Sequence, residues 1–193
     1  MKYAISIYIV LFFSIQAVAQ NAEQAIKIPN PEYINHIYYY NASENTLVNL
    51  EKTEAGMKTK MKAMGFGGAS AAYTIEGAKS TVRIKTGDSI YFVIKTGNTM
   101  MDPSMTLQLY KFESKKDSRD AMMSTQGGMM NKKKNNAGTA GVQFNLKKSG
   151  NDVYIIIPGS TFTPGEYGFL NTMMMNHTGG SYPTYVVFAF AVE

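Results

Sequence analysis

The chain has 193 residues, 45% of them hydrophobic and 17% charged, with a formal net charge of +5 and no cysteine. That composition suits one globular domain with a packed core and excludes wholesale disorder. Without cysteine there is no disulfide framework, no thiol nucleophile, no cysteine-ligated zinc and no lipid-modified cysteine.

At the start, Lys2 precedes an apolar run over residues 3–15 that holds two serines and no charge, followed by Ala17-Val18-Ala19. A positive residue, an apolar stretch and small residues at alternate positions form the pattern of a secretory signal. A helix of about 13 residues spans only about 20 Å, short of the roughly 30 Å hydrocarbon core. The expectation is therefore a cleaved signal over residues 1–19 and an exported mature chain, periplasmic or secreted, with no transmembrane segment. Export sets nucleic acid aside as a partner for the basic excess. Anionic envelope surfaces or plain solubility suit it better.

Residues 20–35 are polar and carry Pro29-Asn30-Pro31, which reads as an extended leader to a single domain over 36–193. Short strand-forming runs follow. Residues 36–40 (HIYYY) and 46–50 (TLVNL) flank a turn-rich stretch and predict a hairpin. Over 57–63, Met57, Thr59, Met61 and Ala63 alternate with Lys58, Lys60 and Lys62, which predicts a strand with the lysines on one face. Residues 72–76, 81–85, 89–95 and 106–112 then carry Tyr, Ile, Val and Phe at every second position or in β-branched runs. The S-x-x-D pattern of Ser114–Asp117 has the form of a capping box and predicts a short helix over 115–123. Residues 127–141 are rich in Gly, Asn and Lys and predict a solvated loop. Residues 142–148, 153–157, 166–170 and 184–192 complete the strands. Strands that alternate without interleaved helices point to an all-β fold: an antiparallel, immunoglobulin-like β-sandwich of about nine to ten short strands, with at most one short helix.

Thr163-Pro164-Gly165-Glu166-Tyr167-Gly168-Phe169 resembles the turn-then-strand entry of immunoglobulin-like domains, where a tyrosine bonds back to the turn backbone two residues before a core position. The resemblance implies that Phe169 takes the core position. With neither Cys nor Trp in the chain, only the sandwich architecture carries over, not the antibody domain. A longer pattern is similar to a group of uncharacterised exported bacterial proteins. It comprises the tyrosines at 38–40, Leu50-Glu51, Ile75-Glu76-Gly77-Ala78-Lys79-Ser80, Leu109-Tyr110-Lys111, Pro164 to Phe169, and the closing Phe188-Ala189-Phe190-Ala191-Val192. It implies a shared fold and export, and no particular activity.

The residues offer little for catalysis. The two histidines, His36 and His177, form no H-x-H or H-x-x-x-H pair, and no serine sits in a G-x-S-x-G elbow. Glu51 with Glu54, and Glu166, read as an exposed strand edge and a turn residue rather than as a carboxylate pair. Gly65 to Ser70 and Gly77 to Ser80 fall short of nucleotide-binding glycine motifs and read as turns. The expectation is a protein that is not an enzyme and that engages a protein or glycan of the bacterial cell envelope. Its aromatic and basic residues Tyr110, Tyr182, Tyr185, Lys132, Lys133 and Lys134 supply the face. No cofactor is expected on that reading. The alternative rests on 14 methionines, an unusual number, several of them in clusters. Thioether sulfur is a soft, neutral donor suited to Cu(I). Met173, Met175, His177, Met100, Met101 and Met105 are the candidate copper ligands on this second reading.

Overall fold

In the computed structural model, residues 28–61, 68–86, 89–97, 102–126, 136–137, 141–176 and 183–193 are described. Each of the ten expected strand runs coincides with or overlaps a strand, and so does the lysine-alternating stretch. The elements are β1 (Ile37–Asn41), β2 (Thr46–Asn49), β3 (Glu51–Met61), β4 (Ala69–Glu76), β5 (Arg83–Ile84), β6 (Tyr91–Lys95) and β7 (Leu107–Ser114). They continue with β8 (Ser118–Gln126), β9 (Asn136–Ala137), β10 (Gly141–Val142), β11 (Phe144–Lys148), β12 (Val153–Pro158), β13 (Gly165–Asn176) and β14 (Thr184–Val192). The helical element among the described residues is a 3-10 turn, Pro103–Met105, capped by the Asp102 side chain.

The helix expected over residues 115–123 is not formed. Lys115 N–H donates to the Ser118 carbonyl at 2.7 Å, closing a hairpin between β7 and β8. From there Arg119, Ala121 and Met123 fall on one face and Met122 on the other. Burying that face outweighs the local capping signal, since packing decides the state of a short segment.

The all-β, antiparallel character stands, with one parallel pairing between β5 and β14. One layer is an open five-stranded sheet in the order β11-β12-β6-β1-β2. In place of a second open layer, the larger sheet runs β7-β13-β14-β3-β4-β8 and then pairs β8 back onto β7, through Glu113 opposite Asp120 and Ser114 opposite Arg119. Six strands thus close into a barrel, with β9 and β10 as outriggers. Register shifts between Ala71 and Ala72 and between Leu170 and Met175 supply the local twist that closure needs.

This arrangement makes two cores, and β14 shows how the sequence serves both. Val186, Phe188, Phe190 and Val192 face the five-stranded sheet, whereas Val187 and Ala189 face the barrel interior. Large residues fill the wide gap between layers, and small ones fit the narrow barrel. Gly168 shows the same constraint on β13. A Cβ there would lie 2.7 Å from Val187 Cγ1 and 3.1 Å from the Phe112 ring. The core between the layers centres on Phe92, fully buried, with ring centroids 4.8 Å from Phe169 and 4.7 Å from Phe190. Tyr167 Oη donates to the Thr163 carbonyl at 2.7 Å and Phe169 is fully buried. The turn-and-tyrosine geometry expected from the sequence is therefore present at the entry to β13. Among the described residues no helix is long and apolar enough to cross a membrane.

Candidate functional site

The two ends of the barrel differ. At one end the segment after β4 folds across the opening and is held by ion pairs. Arg119, only 1% exposed, donates from Nη2 to Glu51 Oε1 at 2.7 Å and from Nε to the Gly77 carbonyl at 3.0 Å, and its Nη1 lies 3.5 Å from Glu166 Oε2. Glu166 Oε2 also accepts the Ser80 N–H at 2.8 Å, and Glu51 Oε2 accepts the Thr81 N–H at 2.9 Å. Arg83 adds ion pairs to Glu166 and Glu193. The 75–80 and 164–169 elements singled out in the sequence thus meet here.

Two expectations change at this end. Glu166 is not a turn residue, and Glu51 is not an exposed strand edge. Both face inward along the barrel, because Glu51 shares the face of Ala55 and Glu166 lies opposite Phe112 and Ala191. Burial alone would raise the Glu51 carboxyl. The Arg119 guanidinium, the Ser80 hydroxyl and the Thr81 N–H outweigh it and hold the group below its usual value. With both carboxylates committed to arginine and backbone partners, this end is a sealed plug.

The opposite end, formed by the C-terminal parts of β3, β8 and β13 and the N-terminal parts of β4, β7 and β14, carries a layer of three tyrosines. Tyr73 from β4 is buried, with its ring 5.5 Å from Tyr110 of β7 and 5.4 Å from Tyr185 of β14. Tyr110 Oη donates to Gln108 Oε1 at 2.6 Å. Burial, then the neighbouring Tyr110 and Tyr185, push the Tyr73 phenol up to about 12. Tyr110 is raised as well, by burial. We expect an alkaline titration followed at 295 nm to show a late-ionising phenol still protonated at pH 11, and Tyr73→Phe to remove that phase. A titration unchanged by the substitution would contradict the buried position of Tyr73.

Outside the tyrosine layer lies a layer of methionines. On β3, Met57 and Met61 share the inward face of Ala55, and on β8 Met123 packs against the barrel core. On β13, Met175 lies opposite the inward Tyr185, while Met174 packs into the core between the layers and Met173 is exposed. Among the described residues, five of the eight exposed large apolar side chains are methionines: Met61, Met105, Met122, Met173 and Met175.

No known protein family, curated protein or solved structure matches the chain.

Of the residues expected to form a partner face, Tyr110 and Tyr185 are brought together on either side of Tyr73. Tyr182 and Lys132, Lys133 and Lys134 lie outside the described residues. Of the expected copper ligands, Met175 lies opposite Tyr185 at this mouth, Met173 is an exposed residue of β13, and Met105 is an exposed residue of the 3-10 turn, 77% accessible. Met100, Met101 and His177 lie outside the described residues. Sequence reasoning missed Tyr73 and undervalued Met57 and Met123. The signal for Tyr73 was available in part, since it shares an alternating face with Ile75. What brings it to Tyr110 and Tyr185 is closure of the sheet. His36 is packed between Tyr38, at 4.6 Å, and Phe188, at 4.7 Å, and burial with the nearby Lys52 charge lowers its pKa. Among the described residues, no group of three or more His, Asp or Glu side chains is placed to hold a metal ion.

Proposed function

We propose that this is an exported, non-enzymatic binding protein of the bacterial cell envelope that engages a protein or glycan partner at the tyrosine-lined mouth of its barrel. The observation that carries this reading is the asymmetry of the two ends. One is sealed by buried ion pairs, and the other converges Tyr73, Tyr110 and Tyr185 from three strands beneath an apolar rim. Aromatic rings beside a water-accessible opening provide broad contact area with little side-chain entropy to lose. Methionine adapts its shape to whatever is laid against it. The rim favours a protein partner over a glycan, because Met61, Met173 and Met175 offer thioethers, not hydrogen-bonding groups, to an incoming surface. Export rests on the apolar run and small-residue site of residues 1–19, and the basic excess of the chain suits an anionic envelope.

The test is capture from an envelope extract with wild-type protein and with Tyr110→Ala/Tyr185→Ala, followed by mass spectrometry and rebinding of the identified component. The double variant is expected to lose at least tenfold in affinity while its circular dichroism stays that of the wild type. Equal affinity of the two proteins would remove the mouth as the partner face.

A further inference from the structure

We infer that the methionine layer of the barrel mouth is a binding site for a soft monovalent metal ion, Cu(I), with Met57, Met123 and Met175 as its ligands. This goes beyond the partner-binding reading and shares only Met175 with it; the partner test turns on Tyr110 and Tyr185, so either can fail without the other.

The placement comes from register. Tyr185 lies opposite both Met175 on β13 and Ala55 on β3, and Met57 is the next inward residue after Ala55 toward the mouth. On the other side, Met57 lies opposite Tyr73 and Tyr73 opposite Ala121, and two residues on, Met123, the extra residue of the bulge between Met122 and Ser124, packs against the barrel core. Each pair is separated by two strand spacings of ~4.8 Å and one two-residue step of ~6.8 Å, roughly 12 Å along the sheet before its curvature is counted. Closure into a six-stranded barrel turns all three side chains toward one axis. Met57 and Met123 are half-buried against the barrel core and Met175 is 44% exposed. An ion would meet two positioned sulfurs and one that closes over it.

Donor chemistry selects the ion. Among the described residues, the inward side chains around this layer are thioethers, phenols, Thr59, Ala71, Gln108 and Ser124, while the inward carboxylates of Glu51 and Glu166 are bound to arginine at the sealed end. Neutral phenols and amides offer little to Mg(II), Ca(II) or Zn(II), which need carboxylate, imidazole or thiolate. Three neutral sulfurs suit Cu(I), bind it without releasing a proton, and work in a chain that has no cysteine. The outward lysines Lys58 and Lys60 make simple charge attraction an unfavourable basis for binding, so affinity has to come from the sulfur–metal bonds.

The experiment uses purified wild-type chain labelled with 13C at the methionine methyl groups. Ag(I), a redox-inert analogue, and anaerobic Cu(I) are added separately, the latter in competition with bicinchoninate. At one equivalent the methyl signals of Met57, Met123 and Met175 are expected to shift, while those of Met122, on the outward face of β8, and Met105 stay in place. Met57→Leu/Met123→Leu/Met175→Leu, nearly isosteric, is expected to weaken Cu(I) retention at least tenfold, and Met122→Leu to leave it unchanged. Failure of the wild type to compete at equimolar protein, or shifts confined to other methionines, would overturn the site. Shift mapping is done on the wild-type chain, so the site stays testable even where the triple variant misfolds.

Discussion

Arg119→Met is expected to be among the most damaging single substitutions in the chain, lowering stability by about 3–5 kcal/mol, because it leaves the inward carboxylate of Glu51 without its cation and Glu166 with only the more exposed Arg83. For a domain of this size that corresponds to a fall of roughly 6–20 °C in Tm. The Gly77 carbonyl loses its Arg119 donor as well, so the plug over the barrel end loosens. Combining Arg119→Met with Glu51→Gln and Glu166→Gln is expected to restore part of the loss, since the orphaned charges are then gone. Calorimetry on the two variants checks this, and identical transitions would show that the three groups are not energetically coupled. The acid limb carries a second signature. Glu51 has its folded pKa held below the usual 4.5, so its contribution is present above that value and is lost as pH falls through the depressed one. In Arg119→Met the acid limb over that window flattens.

Phe92→Ala is expected to cost a similar amount, about 3–5 kcal/mol, by opening a cavity in the core between the layers. Phe92 has no exposed surface and packs edge-on or tilted against Phe169, Phe190, Phe162 and Tyr39. These neighbours belong to both layers, so the cavity cannot collapse by the shift of one element. Urea unfolding should show a lower midpoint with little change in slope. Binding at the barrel mouth should survive at temperatures where the variant is folded, because the β13–β14 wall separates this core from the tyrosine layer. A stability within 1 kcal/mol of wild type would mean that the layers are not held through Phe92.

Much of the architecture could be read from local pattern. The alternation in residues 106–112 and 184–192 marked strands now seen as β7 and β14, and the lysine-alternating stretch marked the latter part of β3. The Phe-Ala-Phe-Ala order of β14 encoded one wide and one narrow neighbour, although its meaning was visible only once the barrel was. The misplaced helix at 115–123 had the opposite cause: a genuine local signal at Ser114–Asp117 was overruled by burial of Arg119, Ala121 and Met123. The site was less legible. Tyr110 and Tyr185 could be named from the sequence, but the buried Tyr73 that joins them could not, since 112 residues separate it from Tyr185.

The sequence by itself determined the all-β class, the positions of most strands though not of β8 or β9, and the tyrosine-anchored turn at 163–169, because these depend on period-two burial and on hydrogen bonds a few residues long. Only the tertiary structure decided that the larger sheet closes, that Glu51, Glu166 and Arg119 seal one end, and that the tyrosines and methionines of separate strands share the other. Those outcomes depend on which strands become neighbours and on a register carried around a ring. No local window of the chain contains that information.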